Sequence, residues 1–195
     1  MTRVARSAVT WAASLSALTA LVILDLMTGP SHLSTTEIMK ALAGGLDADV
    51  PASAIVWKLR LPRIVTALIA GAGLAVSGAQ MQAVFRNPLA DPHILGVSAG
   101  AGTGVAVVTV LTGAAGISGF GITAAAATGA MLMSLTIMGL ASKVRKATAL
   151  LIAGVMLGYI MSALTSVIEY QADESHLKVF WNWSSGSFSG NTWNE

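Results

Sequence analysis

Apolar residues run in long uninterrupted stretches along this chain, and polar residues are confined to short segments between them. No Asp, Glu, Lys or Arg stands between Ser7 and Leu24, between Ile64 and Phe85, between Pro92 and Ser142, or between Ala147 and Ile168. A membrane-spanning helix needs about 20 predominantly apolar residues, so the first, second and fourth stretches each hold one span. The third is too long for one and divides where Gly113, Gly116, Ser118, Gly119 and Gly121 cluster. The pattern predicts five spans, at about 7–27, 62–84, 94–112, 122–141 and 147–170, in a single domain over 1–195. The stretches are continuously apolar rather than alternating, which excludes a transmembrane β-barrel. The first span also has the outline of a signal peptide, with Arg3 and Arg6 before it and small residues at Ala17–Ala20. Its apolar stretch exceeds the roughly 7–15 residues of a signal core, so it is read as a retained helix.

Composition narrows the classes further. Charged residues make up 10% of the chain and hydrophobic residues 54%, against about 25% charged in a soluble domain. A water-facing surface cannot be built from so few charges, nor is this the composition of a disordered chain. The chain has no Cys, hence no disulfide framework and no thiolate nucleophile or metal site. His32, His93 and His176 match no metal-ligand spacing, and no cofactor is expected. The basic residues are scattered, which argues against a nucleic-acid partner. No nucleophile–base pair and no paired acids lie within the spans, so the chain is not expected to be an enzyme.

Charge also bears on orientation. Five spans place the N-terminus, the loop at 86–93 and the turn at 143–146 on one side. Cytoplasmic loops carry an excess of Lys and Arg, and the short turn Lys143-Val144-Arg145-Lys146 puts that side, with the N-terminus, in the cytoplasm. Acids such as Asp47 and Asp49 then lie outside. Lys58, Arg60 and Arg63 disobey the rule at the outer end of the second span. Two readings remain open for them: contact with lipid headgroups, or docking of an acidic partner.

The second span carries Ala67, Gly71, Ala75 and Ala79 at four-residue spacing, with Gly78 nearby. Small residues on one face let helices approach closely in lipid, which predicts a centrally packed helix. Gln80 and Gln82 need partners or a water-filled path, so they read either as packing contacts or as pathway lining. Pro88 and Pro92 break the chain after Asn87, because each lacks an N–H and biases its predecessor away from helix. Gly96, Gly100, Gly102 and Gly104 follow. They imply close backbone approach or a broken helix of the kind transporters use. No phosphate-loop or dinucleotide-binding spacing is present.

The run RLPRIVTALIAGAGLAVSGAQMQAVFRNPLADPHILGVSAGAG, Arg60 to Gly102, resembles the signature region of FecCD-type permeases. These are the iron–siderophore, haem and vitamin B12 permeases of ABC importers. The tail W-x-x-GSFSG-x-x-W at 183–193 is similar to that family's segment before its sixth span. The resemblance implies half of a ten-helix importer permease fold, as one part of an inverted repeat, and therefore an N-terminal fragment. It implies a second permease subunit (identical or different), a cytoplasmic ATP-binding subunit that hydrolyses the ATP, an extracytoplasmic substrate-binding protein, and membrane lipid as surroundings. Arg60 and Arg63 match the family's arginines that meet acids of the binding protein. Asn87, Pro88 and Pro92 fall in its cytoplasmic loop, and Gly71, Ala75, Gly78, Gln80 and Gln82 in its packing or pathway helix.

The expectation is therefore a permease subunit in the cell membrane that forms the path for an iron–siderophore complex. Haem and cobalamin are the alternative substrates. The rival of a different class is a membrane scaffold or assembly subunit whose Gly-rich helices only pack.

Overall fold

The computed structural model describes residues 3–46, 51–112, 119–144, 146–188 and 190–193. Asp47 and Asp49 of the outer loop, Gly113, Gly116 and Ser118 of the turn, Arg145 and Glu195 lie outside the described residues. Among the described residues every regular element is helical. The elements are α1 (Arg3–Met27), α2 (Thr35–Gly44), α3 (Pro51–Ile55), a π-helical turn (Val56–Arg60), α4 (Leu61–Phe85), α5 (Val97–Thr112), α6 (Gly119–Ala141), α7 (Ala147–Tyr170) and α8 (Glu174–Ser184). They form two compact units.

One unit holds 1–70 and 188–195. Ser34 starts α2 as its N-cap, and Glu37 completes a capping box. The Ser34 N–H and Oγ donate to Glu37 Oε2 at 2.7 Å each, and the Glu37 N–H donates back to Ser34 Oγ. The Ser34 side chain and backbone bonds hold the Glu37 carboxyl below its ordinary range, because both favour the charged form. Ile38, Ala41, Ala52 and Val56 make a small core, joined by Leu33, Leu42, Trp57 and Leu61. Ser53 Oγ donates to Gly45 O, Trp57 Nε1 to Ala41 O, and Trp193 Nε1 to Trp57 O. The last bond uses the second Trp of the W-x-x-GSFSG-x-x-W tail.

Pro62 explains the π turn. It has no N–H to give Lys58 O, and Leu61 N–H reaches back five residues to Val56 O instead. One wide turn accommodates the ring without breaking the helix. The apolar helix therefore runs from Ala52 to Phe85, where the sequence predicted a span starting at 62. Its N-terminal end projects beyond the stretch free of charge.

The other unit, 71–187, is organised around α5. Helices α6 and α7 lie on two of its sides, and α8 packs against it as well. Its core is Leu95, Met133 and Ile137, with Met81, Phe85, Val97, Leu150, Leu157 and Met161 around it. The bounds of α7 coincide with the predicted 147–170, and α6 starts three residues before the predicted 122. The start of the third span is the clearest departure. Residues 94–96 form a turn rather than the first turn of a helix. Asp91 Oδ1 accepts the N–H groups of His93 and Ile94, and Gly96 sits in the left-handed region at φ +73°. Helix α5 is consequently 16 residues long, about 24 Å at 1.5 Å per residue. Among the described residues four other helices are long and apolar enough to cross a membrane.

Candidate functional site

The signature residues lie on one helix–loop–helix, α4 to α5. Helix α4 ends in a Schellman motif: Asn87 N–H donates to Gln82 O and Arg86 N–H to Ala83 O. Arg86 takes the left-handed position at φ +49° that Gly usually fills. The loop then folds on its own side chains. Asn87 Oδ1 accepts Leu89 N–H at 3.0 Å, Asp91 caps the next turn, and His93 Nδ1 meets Ser98 Oγ at 2.6 Å. Ala90 is buried, while Pro88 is exposed and Leu89 is 81% exposed. The loop is thus an ordered platform that presents a large apolar residue outward.

Past the loop, glycines bring three helices into backbone contact. A Cβ at Gly104 would stand 2.5 Å from Ala125 O, and one at Gly100 would stand 2.8 Å from Gly129 O. Helices α5 and α6 therefore interlock through Gly100 and Gly104 on one side and Ala125 and Gly129 on the other. Gly96 faces the backbone of Gly158, and Leu95 faces Gly154, which seats α7. Thr103 Oγ1 and Thr165 Oγ1 then share a buried hydrogen bond of 2.9 Å between α5 and α7. Within the glycine run Gly96, Gly100 and Gly104 serve close approach, while a Cβ at Gly102 would meet nothing within 4 Å. A broken helix was the other reading, and only its first residues, 94–96, leave the helix.

Helix α4 departs from expectation. Gly71, Ala75 and Ala79 are exposed, and a Cβ at Gly71, Gly73 or Gly78 would meet nothing within 4 Å. The small face is uncovered among the described residues, so none of them packs against it. The physical reason is that four-residue spacing makes a helix approachable but names no neighbour. Gln80 is exposed and, with Ser77, Pro92 and Ser134, borders an otherwise apolar groove of about 330 Å³. The Gln82 side chain is exposed too, and its carbonyl carries the Schellman bond. A larger groove of about 600 Å³ runs along α5 and α6. Among the described residues no group of three His, Asp or Glu could hold a metal ion.

The two arginines are tied within their own unit. Arg60 is only 4% exposed and donates to Leu26 O and, at 2.7 Å, to Ser31 O. Arg63 forms a bidentate pair with Asp25, and its side chain keeps 29% of its exposure. Headgroup contact or docking of an acidic partner was expected of both, and burial corrects this for Arg60, whose donors are spent inside the chain. Sequence reasoning missed Asp25 as a partner, although an acid at the end of an apolar span was the available signal.

The grooves and helix faces point to the class. Large apolar residues cover the outside of the long helices, among them Leu18, Leu21, Ile69, Leu74, Leu132 and Ile160. Hydroxyls within the spans bond to carbonyls of their own helix, as Thr19 does to Leu15 O and Thr136 to Leu132 O. No buried side-chain nitrogen or oxygen lacks a partner among the described residues. Lipid demands this of any spanning structure, and the chain is an all-α, multi-pass integral membrane protein.

The comparisons name the family. A model of the FecCD transport family matches residues 17–195, and the chain belongs to that family. It is 38% identical over 191 residues to the vitamin B12 import system permease protein BtuC of Salmonella paratyphi A, covering 97% of this chain and 56% of the relative. The same protein of Citrobacter koseri is also 38% identical, with 97% and 55% covered. A chain solved in an inward-facing conformation, from a transporter described as of the metal-chelate ABC type, superposes with a TM-score of 0.73. It is 30% identical, and the match covers 92% of this chain and 55% of that one. The chain spans just over half the length of the curated relatives it matches.

Proposed function

We propose that the chain forms part of the membrane path of a binding-protein-dependent ABC importer for a metal chelate, with cobalamin as the favoured substrate. The observation that carries the reading is the ordered α4–loop–α5 unit, with the RLPR, NPLA and LGVS segments in sequence, in a chain of the FecCD family. Identity to permeases named for vitamin B12 favours cobalamin over the iron–siderophore complex that the sequence reading placed first. The mechanism is alternating access. A cytoplasmic ATPase hydrolyses ATP, a second permease subunit completes the path, and an extracytoplasmic binding protein delivers the chelate. At the outer mouth Arg63, which keeps solvent-facing surface, and exposed Lys58 are the basic groups proposed to meet that protein.

The test is uptake in proteoliposomes that hold the full-length permease subunit, its ATPase and its binding protein. ATP-dependent entry of labelled cobalamin is expected. Entry of a ferric siderophore instead would transfer the substrate to the iron class. Assembly without entry of either would favour the scaffold reading.

The proposed orientation has its own check, made simple by the absence of native Cys. Leu46→Cys should react with an impermeant thiol reagent from outside intact cells, and Lys146→Cys should react only after permeabilisation. The reverse pattern would invert the topology.

A further inference from the structure

We infer that Arg60 and Arg63 form a joint that seats the outer end of α1, with Asp25 as the positioning residue for the Arg63 guanidinium. The argument starts from what α1 lacks. A helix C-terminus carries partial negative charge and carbonyls with no intrahelical donor. The last turn of α1 contains no basic residue and instead carries Asp25, an acid at the unfavourable end of the dipole. Thr28 satisfies one carbonyl, donating to Leu24 O through both its N–H and its Oγ1. The Leu26 carbonyl and the Asp25 charge still need donors.

Arg60 at the end of the π turn supplies the first, and Arg63 in the first turn of α4 the second. Arg60 donates to Leu26 O and continues to Ser31 O in the segment that follows α1. Arg63 meets Asp25 through Nη2 and Nε, the fork geometry in which guanidinium binds carboxylate best. Gly29 leaves room for the joint, because a Cβ there would stand 3.0 Å from Arg60 Nη2.

The rest of α1 is little covered in this unit among the described residues. From Ala5 to Met27 none of its residues is buried, and its neighbouring elements are α2 and the π turn. A span with no buried side chain is placed by its end.

The test is charge exchange in the full-length permease subunit. Arg63→Asp and Asp25→Arg should each lower the thermal aggregation midpoint in detergent, by roughly 3 °C or more. The double exchange should recover at least half of the loss. A double variant whose loss is the sum of the two, or single variants with unchanged midpoints, would overturn the joint. If the exchanged protein does not accumulate, the neutral pair Asp25→Asn with Arg63→Gln is compared with its single variants. The pair should be more stable than the worse single variant, since it leaves no charge unpaired, and a pair no better than that variant would also overturn it. Binding-protein affinity, measured on the same exchanged variant, reads docking separately. A recovered midpoint with lost affinity supports both roles. A recovered midpoint with intact affinity keeps the joint and removes Arg63 from docking.

Discussion

Gly129→Ala should loosen α6 from α5 and cost about 1–3 kcal/mol, the usual range for overpacking a filled interface. One methyl group is enough, because the new Cβ would fall onto the Gly100 carbonyl oxygen, closer than any ordinary contact. The obstacle is backbone on a facing helix, so no side chain can swing aside. Gly104 stands in the same position toward Ala125 O, so relief by sliding one helix along the other tightens a second contact. Gly139→Ala is the matched control in the same helix. A Cβ there meets nothing within 4 Å, and Gly within a helix is weaker than Ala by about 0.5–1 kcal/mol. Thermal unfolding of the purified subunit should therefore fall for position 129 and hold or rise for position 139. Equal losses at both would mean that glycine matters here for reasons other than contact.

Arg60→Met should be the most damaging change at the outer end of α1. It keeps most of the apolar stem but removes the donors to Leu26 O and Ser31 O. A buried acceptor left unsatisfied costs about 1–3 kcal/mol, and the two carbonyls released here, being part-buried, put the loss toward the lower end of that range. Arg60→Lys should fall between, because an ammonium keeps the charge and three donors but not the planar fork. Lys58→Met, at an exposed position two residues away, should leave folding unchanged. Yield and thermal midpoint of the three variants check the order. A Met variant as stable as the Lys58 variant would show that the buried guanidinium contributes nothing to folding.

Where the long apolar helices lie was legible from residue types, most closely for α6 and α7. Lipid excludes charge, so the gaps between charges mark helices directly, and α7 begins and ends where the gap bounded by Lys146 and Glu169 implies. Pro88 and Pro92 likewise ended α4 without any structure, because a missing N–H cannot be argued away. The family was legible for a different reason: several short segments in fixed order are specific together, as RLPR, NPLA and LGVS are here.

What stayed hidden depends on neighbours. The small faces of α4 and α5 look alike in sequence, since four-residue spacing states only that a helix can be approached. Among the described residues, the backbone contacts belong to Gly96, Gly100, Gly104, Gly129, Gly154 and Gly158, while Gly71 and Gly78 face open space. The shortened start of α5 needed Asp91 as a cap and Gly96 in a left-handed conformation, details that hydrophobic pattern does not encode. Arg60 is the sharpest case. Its place at a helix end was plain from the chain, but a guanidinium reads the same whether it faces solvent or two carbonyls. Only the tertiary structure, by bringing the last turn of α1 against the π turn that precedes α4, decided that this charge is buried and what it holds.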